Sequence, residues 1–247
     1  MIESVPESDR SQRVRVDMCE EGSVPTEKAL GLLWNVQDDC FMSRMGHKKA
    51  ALTRTGLLST GCSIYDPLGF MSPLTLVAKR LMQDLTRKKL GWDEPLPEVE
   101  LNEWTRWSDD LLKVESVRVQ RCVKPGESNN VCCQLHHFAD ASCTAYGVVI
   151  YLRAVKRDGK TTCSLMMAKS RLAPVKTVTL PRLELMAATL AVKVDQLMQR
   201  ELDIPLAKSV FWTDSAIVLQ YISNEHKRFH TFVANRVAAI RDSSSPE

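Results

Sequence analysis

The chain has 247 residues, 44% of them hydrophobic and 26% charged, with a formal net charge of +3. That length buries one large core or two small ones, and the composition is that of an ordinary soluble protein. No run approaches the roughly 18 apolar residues of a membrane span, and Met1-Ile2-Glu3-Ser4-Val5-Pro6 lacks the regions of a secretory signal. A membrane protein is thereby disfavoured, and the eight cysteines read as reduced thiols of an intracellular protein, cytoplasmic or nuclear. The charge is unevenly spread: residues 43–92 hold 9 basic and 2 acidic side chains, and residues 132–247 hold 15 and 10. The two stretches between and before them are acidic. Two basic blocks suit a polyanion passing along part of the molecule.

Residues 1–24 are polar and without periodicity. Ala29 to Asn35 is a short apolar strand, Val36-Gln37-Asp38-Asp39 a turn, and Cys40-Phe41-Met42 the returning strand of a hairpin. Pro67 and Pro73 bracket a glycine-containing turn. After it, Leu74, Val77, Ala78, Leu81, Met82 and Leu85 recur at helical spacing, with Lys79, Arg80, Lys88 and Lys89 on or beyond the other face. A second helix is expected over Glu98 to Val114, presenting Leu101, Trp104, Trp107, Leu111 and Leu112. From residue 133 the pattern changes to strands: Cys133 to Ala139, Ala145 to Tyr151 and, after a Lys156–Thr161 turn, Cys163 to Ala168. Pro181 opens a long helix whose apolar stripe runs from Leu183 to Met198. Ser209 to Thr213 is a fourth strand, expected to be buried on both faces, and helices over Ile217–Ser223 and Phe229–Ile240 follow. Hairpin strands, a helix and a further strand indicate an α/β or α+β fold, a mixed sheet with helical cover.

Three acids stand at strand-to-loop or loop-to-helix transitions: Asp140 after Phe138-Ala139, Glu184 in the first turn of the long helix, and Asp214 after Phe211-Trp212-Thr213. Singly, each reads as a cap or a favourable charge at a helix start. Together, in apolar surroundings where an unpaired charge is costly, they suit a hard, oxygen-preferring cation.

Phe138-Ala139-Asp140-Ala141-Ser142, followed by Tyr146 to Tyr151, resembles the first hairpin of retroelement RNase H domains. Ala168 to Pro174, Leu180 to Leu185, Trp212-Thr213-Asp214-Ser215, Tyr65 to Phe70 and Gly91-Trp92-Asp93-Glu94 resemble the BEL/Pao group of LTR retrotransposons. Leu30 to Asn35 is similar to the hairpin near the end of a reverse transcriptase palm. The resemblance implies a polyprotein fragment: residues 1–42 the end of a palm, 43–131 a mainly helical thumb and connection, and 132–247 an RNase H-like domain. It implies that Asp140, Glu184 and Asp214 hold two Mg²⁺ ions, with Mn²⁺ a possible substitute, for hydrolysis of the RNA strand of an RNA–DNA hybrid. Ser142 and Ser215 would contact sugar or phosphate, or else serve as turn and cap residues. Lys79, Arg80, Lys88 and Lys89 would contact phosphates. The partners implied are the hybrid and the rest of the polyprotein, with no membrane, and the compartment extends to virus-like particles.

The family pattern includes a fourth acid beyond a further strand, which is not found here; Asp242 is the one candidate in its place, at a helix end. No Tyr-x-Asp-Asp polymerase motif occurs. An impaired nuclease is therefore expected, and two other functions remain open. One is a nonenzymatic nucleic-acid-binding remnant. The other is the aspartic peptidase that such segments are often labelled as, which needs paired Asp-Thr/Ser-Gly loops; Asp140 is followed by Ala-Ser and Asp214 by Ser-Ala. Cys132-Cys133 with His136-His137 lacks the spacing of a zinc site, and His226 and His230 read as surface residues.

Overall fold

The computed structural model describes residues 26–29, 32–42, 50–114, 117–121 and 132–244. The polar segment 1–24, Leu30 and Gly31 of the first expected strand, and residues 43–49 of the basic block lie outside the described residues.

The expected hairpin forms, as the middle of a larger sheet. Strands β1 (Thr26–Ala29), β2 (Leu32–Asn35), β3 (Cys40–Met42) and β4 (Arg118–Gln120) pair antiparallel in that order. The Asn35 side chain accepts from the Gln37 and Asp38 amides, and Asp39 takes a φ of 49°, a left-handed position an aspartate tolerates in a turn. The Arg121 guanidinium beside Asp39 (2.5 Å) holds its carboxyl below the usual value and ties β4 to this turn. β4 follows the helices in the chain, so the hairpin and the helical segment close on each other.

Between β3 and β4 come helices α1 (Arg54–Ser63), α2 (Ser72–Arg87) and α3 (Glu98–Lys113). In α2, Ala78, Leu81 and Leu85 face inward against Trp104, Trp107 and Leu111 of α3 and Leu57 of α1. The Trp107 indole donates to the Leu74 carbonyl (2.9 Å), which satisfies a buried polar group. Helix α1 was not legible in the hydrophobic pattern: Gly56 and Gly61 lie within it and no apolar stripe recurs. Tertiary bonds hold it instead, the Thr53 hydroxyl capping its first turn and Arg54 donating to the Leu90 carbonyl and the Thr86 hydroxyl.

The second part consists of β5 (Cys132–Ala141), β6 (Ala145–Val155), β7 (Thr161–Leu172), α4 (Leu180–Glu201), β8 (Leu206–Trp212), α5 (Ala216–Ser223) and α6 (Thr231–Arg241). Its sheet has the order β7-β6-β5-β8, antiparallel except for the β5–β8 pair. That parallel pair needs a crossover, and α4 supplies it. Alternation in β5 turns Cys133, Leu135, His137 and Ala139 inward, and three of these join Ile150, Leu152, Leu183 and Ala187 in the core. This is the expected α/β fold, a mixed sheet with helical cover. One expectation fails: β8 is not buried on both faces. It lies at the sheet edge, beside β5 alone, and its residues are half-buried or exposed.

The two parts meet along β7. The Leu68 carbonyl accepts from the Ala168 amide (2.8 Å), and Gln83 of α2 donates to the Ala173 carbonyl (2.9 Å). Gly69 sits at φ +78°, where a Cβ would stand 1.8 Å from the Ala168 carbonyl oxygen. Only glycine fits that approach. The Tyr65–Phe70 stretch is thus a seam, with the Asp66 carboxylate accepting from the Met71 amide at the start of α2 (2.9 Å).

Candidate active site

The β5–β8 ladder sets two of the three acids. Its last register pair is Phe138 with Trp212. Asp140 stands two residues beyond that pair in β5, and Asp214 two residues beyond the end of β8, so parallel pairing puts both at the same end of the sheet. Both are exposed.

Glu184 comes from the first turn of α4. Pro181 starts the helix, and Leu183, Leu185 and Ala187 are fully buried beside Glu184, which fixes the helix rotation and leaves Glu184 half-buried. Its Oε2 accepts from the Ser215 hydroxyl at 2.5 Å. Ser215 adjoins Asp214, so the helix acid is fastened to the residue beside the strand acid. Ser215 itself is buried and accepts from the Val218 amide as N-cap of α5. Its hydroxyl therefore has both a donor and an acceptor role within the fold, the capping alternative of the two open in the sequence. Ser142 likewise accepts from the Thr144 and Ala145 amides in the β5–β6 turn.

Asp140 Oδ1 is turned back to the Ala141 amide (2.6 Å). Among the described residues no three His, Cys, Asp or Glu side chains stand close enough together to hold a metal ion as arranged. Nor does any of the three acids form an ion pair with a described basic side chain. Asp242 does not stand with them. It ends α6, and the adjacent Ser243 accepts from Gln196, twelve residues along α4 from Glu184, about 18 Å at helical rise.

The four basic residues divide. Arg80 pairs with Glu103, and Lys88 with the buried Glu100 at 2.5 Å, both across to α3. The Lys88 ammonium holds the Glu100 carboxyl below its usual value against the opposing effect of burial. These two cations fasten α2 to α3. Lys79 and Lys89 are exposed, as is Lys88 outside its contact with Glu100. Cys132 and Cys133 alternate across β5, one exposed and one buried, so they do not converge as zinc ligands, and His226 and His230 are exposed.

The chain matches a family model described as Pao retrotransposon-like RNaseH-like domain over residues 53–215, more than half its length. It belongs to that family. The match takes in α1 to α3 as well as β5 to β8, and ends at Ser215, so all three acids of this Pao-type domain fall inside it. No curated protein matches the chain. Among the described residues no helix is long and apolar enough to cross a membrane.

Sequence reasoning passed over a buried polar pair beside the site elements. His137 and Asp195 are almost fully enclosed, with Nε2 2.7 Å from Oδ1. The signals were present: His137 alternates with Leu135 and Ala139, and Asp195 lies four residues after Ala191 and three before Met198, on the apolar stripe.

Proposed function

We propose that Asp140, Glu184 and Asp214 form the cation-binding site of a hydrolase acting on the RNA strand of an RNA–DNA hybrid. The observation that supports this reading is the Ser215–Glu184 hydrogen bond, which ties the helix acid to the residue next to Asp214, while Asp140 lies near the end of the neighbouring strand β5. Three carboxylates without a basic partner among the described residues make a hard oxygen donor set. The donor chemistry thus fits Mg²⁺, or Mn²⁺ in its place, with Asp140 Oδ1 bonded to the Ala141 amide in the arrangement described. Divalent cations there would supply Lewis-acid stabilisation and a more acidic water. Ser215 would keep Glu184 oriented. Asp140 and Asp214, exposed, would face the phosphodiester from the sheet end. Membership of an RNase H-like family supports nucleic acid as the ligand, with the 2′-hydroxyls distinguishing RNA from DNA. The peptidase alternative finds no support: the two aspartates lie in no paired Asp-Thr/Ser-Gly loops.

With no fourth acid at the site among the described residues, this chain should bind cations weakly and cleave slowly. The test is hybrid cleavage with Mg²⁺ and with Mn²⁺, comparing the chain with Asp214→Asn and with the chain extended along its reading frame. Cleavage by the extended form that Asp214→Asn abolishes supports a nuclease. Hybrid binding with no cleavage by either form under either metal indicates a binding remnant instead.

A further inference from the structure

Under the sheet lies a polar cluster that has no part in the proposed chemistry. The Asp195 carboxylate of α4 accepts from the Ser209 hydroxyl of β8 (2.6 Å) and the Gln199 amide one helical turn on (2.7 Å), and meets His137 Nε2 of β5 (2.7 Å). Gln199 also reaches Ser209 (3.2 Å). The His137 ring stacks on Phe211 of β8, its ladder partner, with centroids 4.8 Å apart. His137 and Asp195 are 0% and 2% exposed, and His137 Nδ1 has no partner.

Burial of an imidazole and a carboxylate is costly, and an apolar trio would pack the same space without that cost. A buried polar set differs from an apolar one in directionality: its partners fit in one register and one rotation only. The three elements it joins are β5, α4 and β8. These carry Asp140, Glu184 and Asp214 at three residues after His137, eleven before Asp195 and five after Ser209. The β5–β8 ladder carries a register irregularity between Gln134 and His136, so the cluster sits beside a place where the backbone pairing is locally interrupted.

We infer that His137, Asp195 and Ser209 are positioning residues, a clamp that sets the shift of β8 against β5 and the rotation of α4, and so fixes where these elements present the three acids. It rests on the proposed site for its purpose, and on the cluster's own geometry for its action.

The test compares His137→Phe, which keeps the ring stack but removes the polar partner, with His137→Gln, which restores a donor, and with the milder Ser209→Ala. Amide hydrogen exchange is read along β5, β8 and the first turns of α4 and α5, and Mn²⁺ affinity is measured alongside. The clamp predicts that His137→Phe raises exchange at least tenfold at the acid ends (138–141, 183–185 and 211–216) while β6 and β7 stay protected. It predicts smaller rises in Ser209→Ala, and recovery in His137→Gln together with a several-fold recovery of Mn²⁺ affinity. Should His137→Phe fail to fold, Ser209→Ala carries the same comparison. Exchange altered only around residues 137, 195 and 209 overturns the clamp. The predicted exchange pattern in a chain whose Mn²⁺ binding is indifferent to Asp214→Asn upholds the clamp and overturns the proposed site.

Discussion

The helical part and the β5–β8 part treat their charges in opposite ways. Across α2 and α3, Arg80 meets Glu103 and Lys88 meets Glu100, so acids and bases cancel locally and hold the helices together. At the end of the second sheet, Asp140, Glu184 and Asp214 have hydroxyl and amide neighbours but no cation from the described chain. A charge run with partners within reach becomes a fastening. Like charges without a basic partner among the described residues, at an end where strands stop, support the proposed cation site.

The largest difference should appear on neutralising one acid from each part. Asp214→Asn should lower hybrid cleavage by the extended chain at least about a hundredfold, since an acid that supports metal chemistry acts in the transition state. Its melting temperature without metal should hold, because Asp214 is exposed and makes no ion pair with a described basic side chain. Glu100→Gln should do the reverse, lowering the melting temperature with little effect on cleavage. A common loss of stability in both variants would erase the contrast.

Removing core volume should destabilise either part alike, so it calibrates the comparison. Ile150→Ala in β6 and Leu85→Ala in α2, both 0% exposed, should each cost about 2–5 kcal/mol in chemical denaturation. Two separate transitions, each sensitive to one variant, would show that the parts unfold independently. A single transition would show that the β7 seam couples them. Gly69→Ala probes that seam, and should cost more than about 1 kcal/mol because both φ and space forbid a Cβ.

The acid limb of stability separates the parts further. The Glu100 carboxyl lies below its ordinary value, chiefly through the Lys88 hydrogen bond. Its pairing therefore contributes stability above the ordinary carboxylate range, which is lost as pH falls through the lowered folded value. Lys88→Met should flatten the pH dependence of the melting temperature below about pH 5 on this linkage. An unaltered acid limb would mean that the pair is energetically idle.

The smallest effect concerns nucleic-acid binding. Replacing the exposed Lys79 and Lys89 with Gln should weaken hybrid binding modestly and reduce its salt slope, by about one unit per lost phosphate contact. Arg80→Gln and Lys88→Gln should change stability more than the salt slope. Equal slopes for all four would return the basic block to the role of a solvated face.

How far the sequence disclosed this follows from the range of the interactions. Helices α2, α3 and α4 announced themselves because their apolar residues recur at helical spacing, and β5 to β7 because β-branched and aromatic runs alternate between turns. Helix α1 and strand β4 did not, since one depends on Arg54 reaching Leu90 and the other is three residues paired with a strand far back in the chain. The burial expected for β8 overlooked its place at the edge. At the site, the three acids were visible from their local contexts. The Ser215–Glu184 bond and the His137–Asp195–Ser209 cluster join residues from separate elements, and no local pattern reveals such pairings.

The central claim is that the three acids act as one cation site, and Mn²⁺ titration of the chain and of Asp140→Asn, Glu184→Gln and Asp214→Asn tests it most directly. The account predicts saturable binding in the parent chain that each of the three substitutions weakens about tenfold or more, as loss of a carboxylate ligand should. Binding that survives Glu184→Gln unchanged, or that none of the three alters, would contradict it.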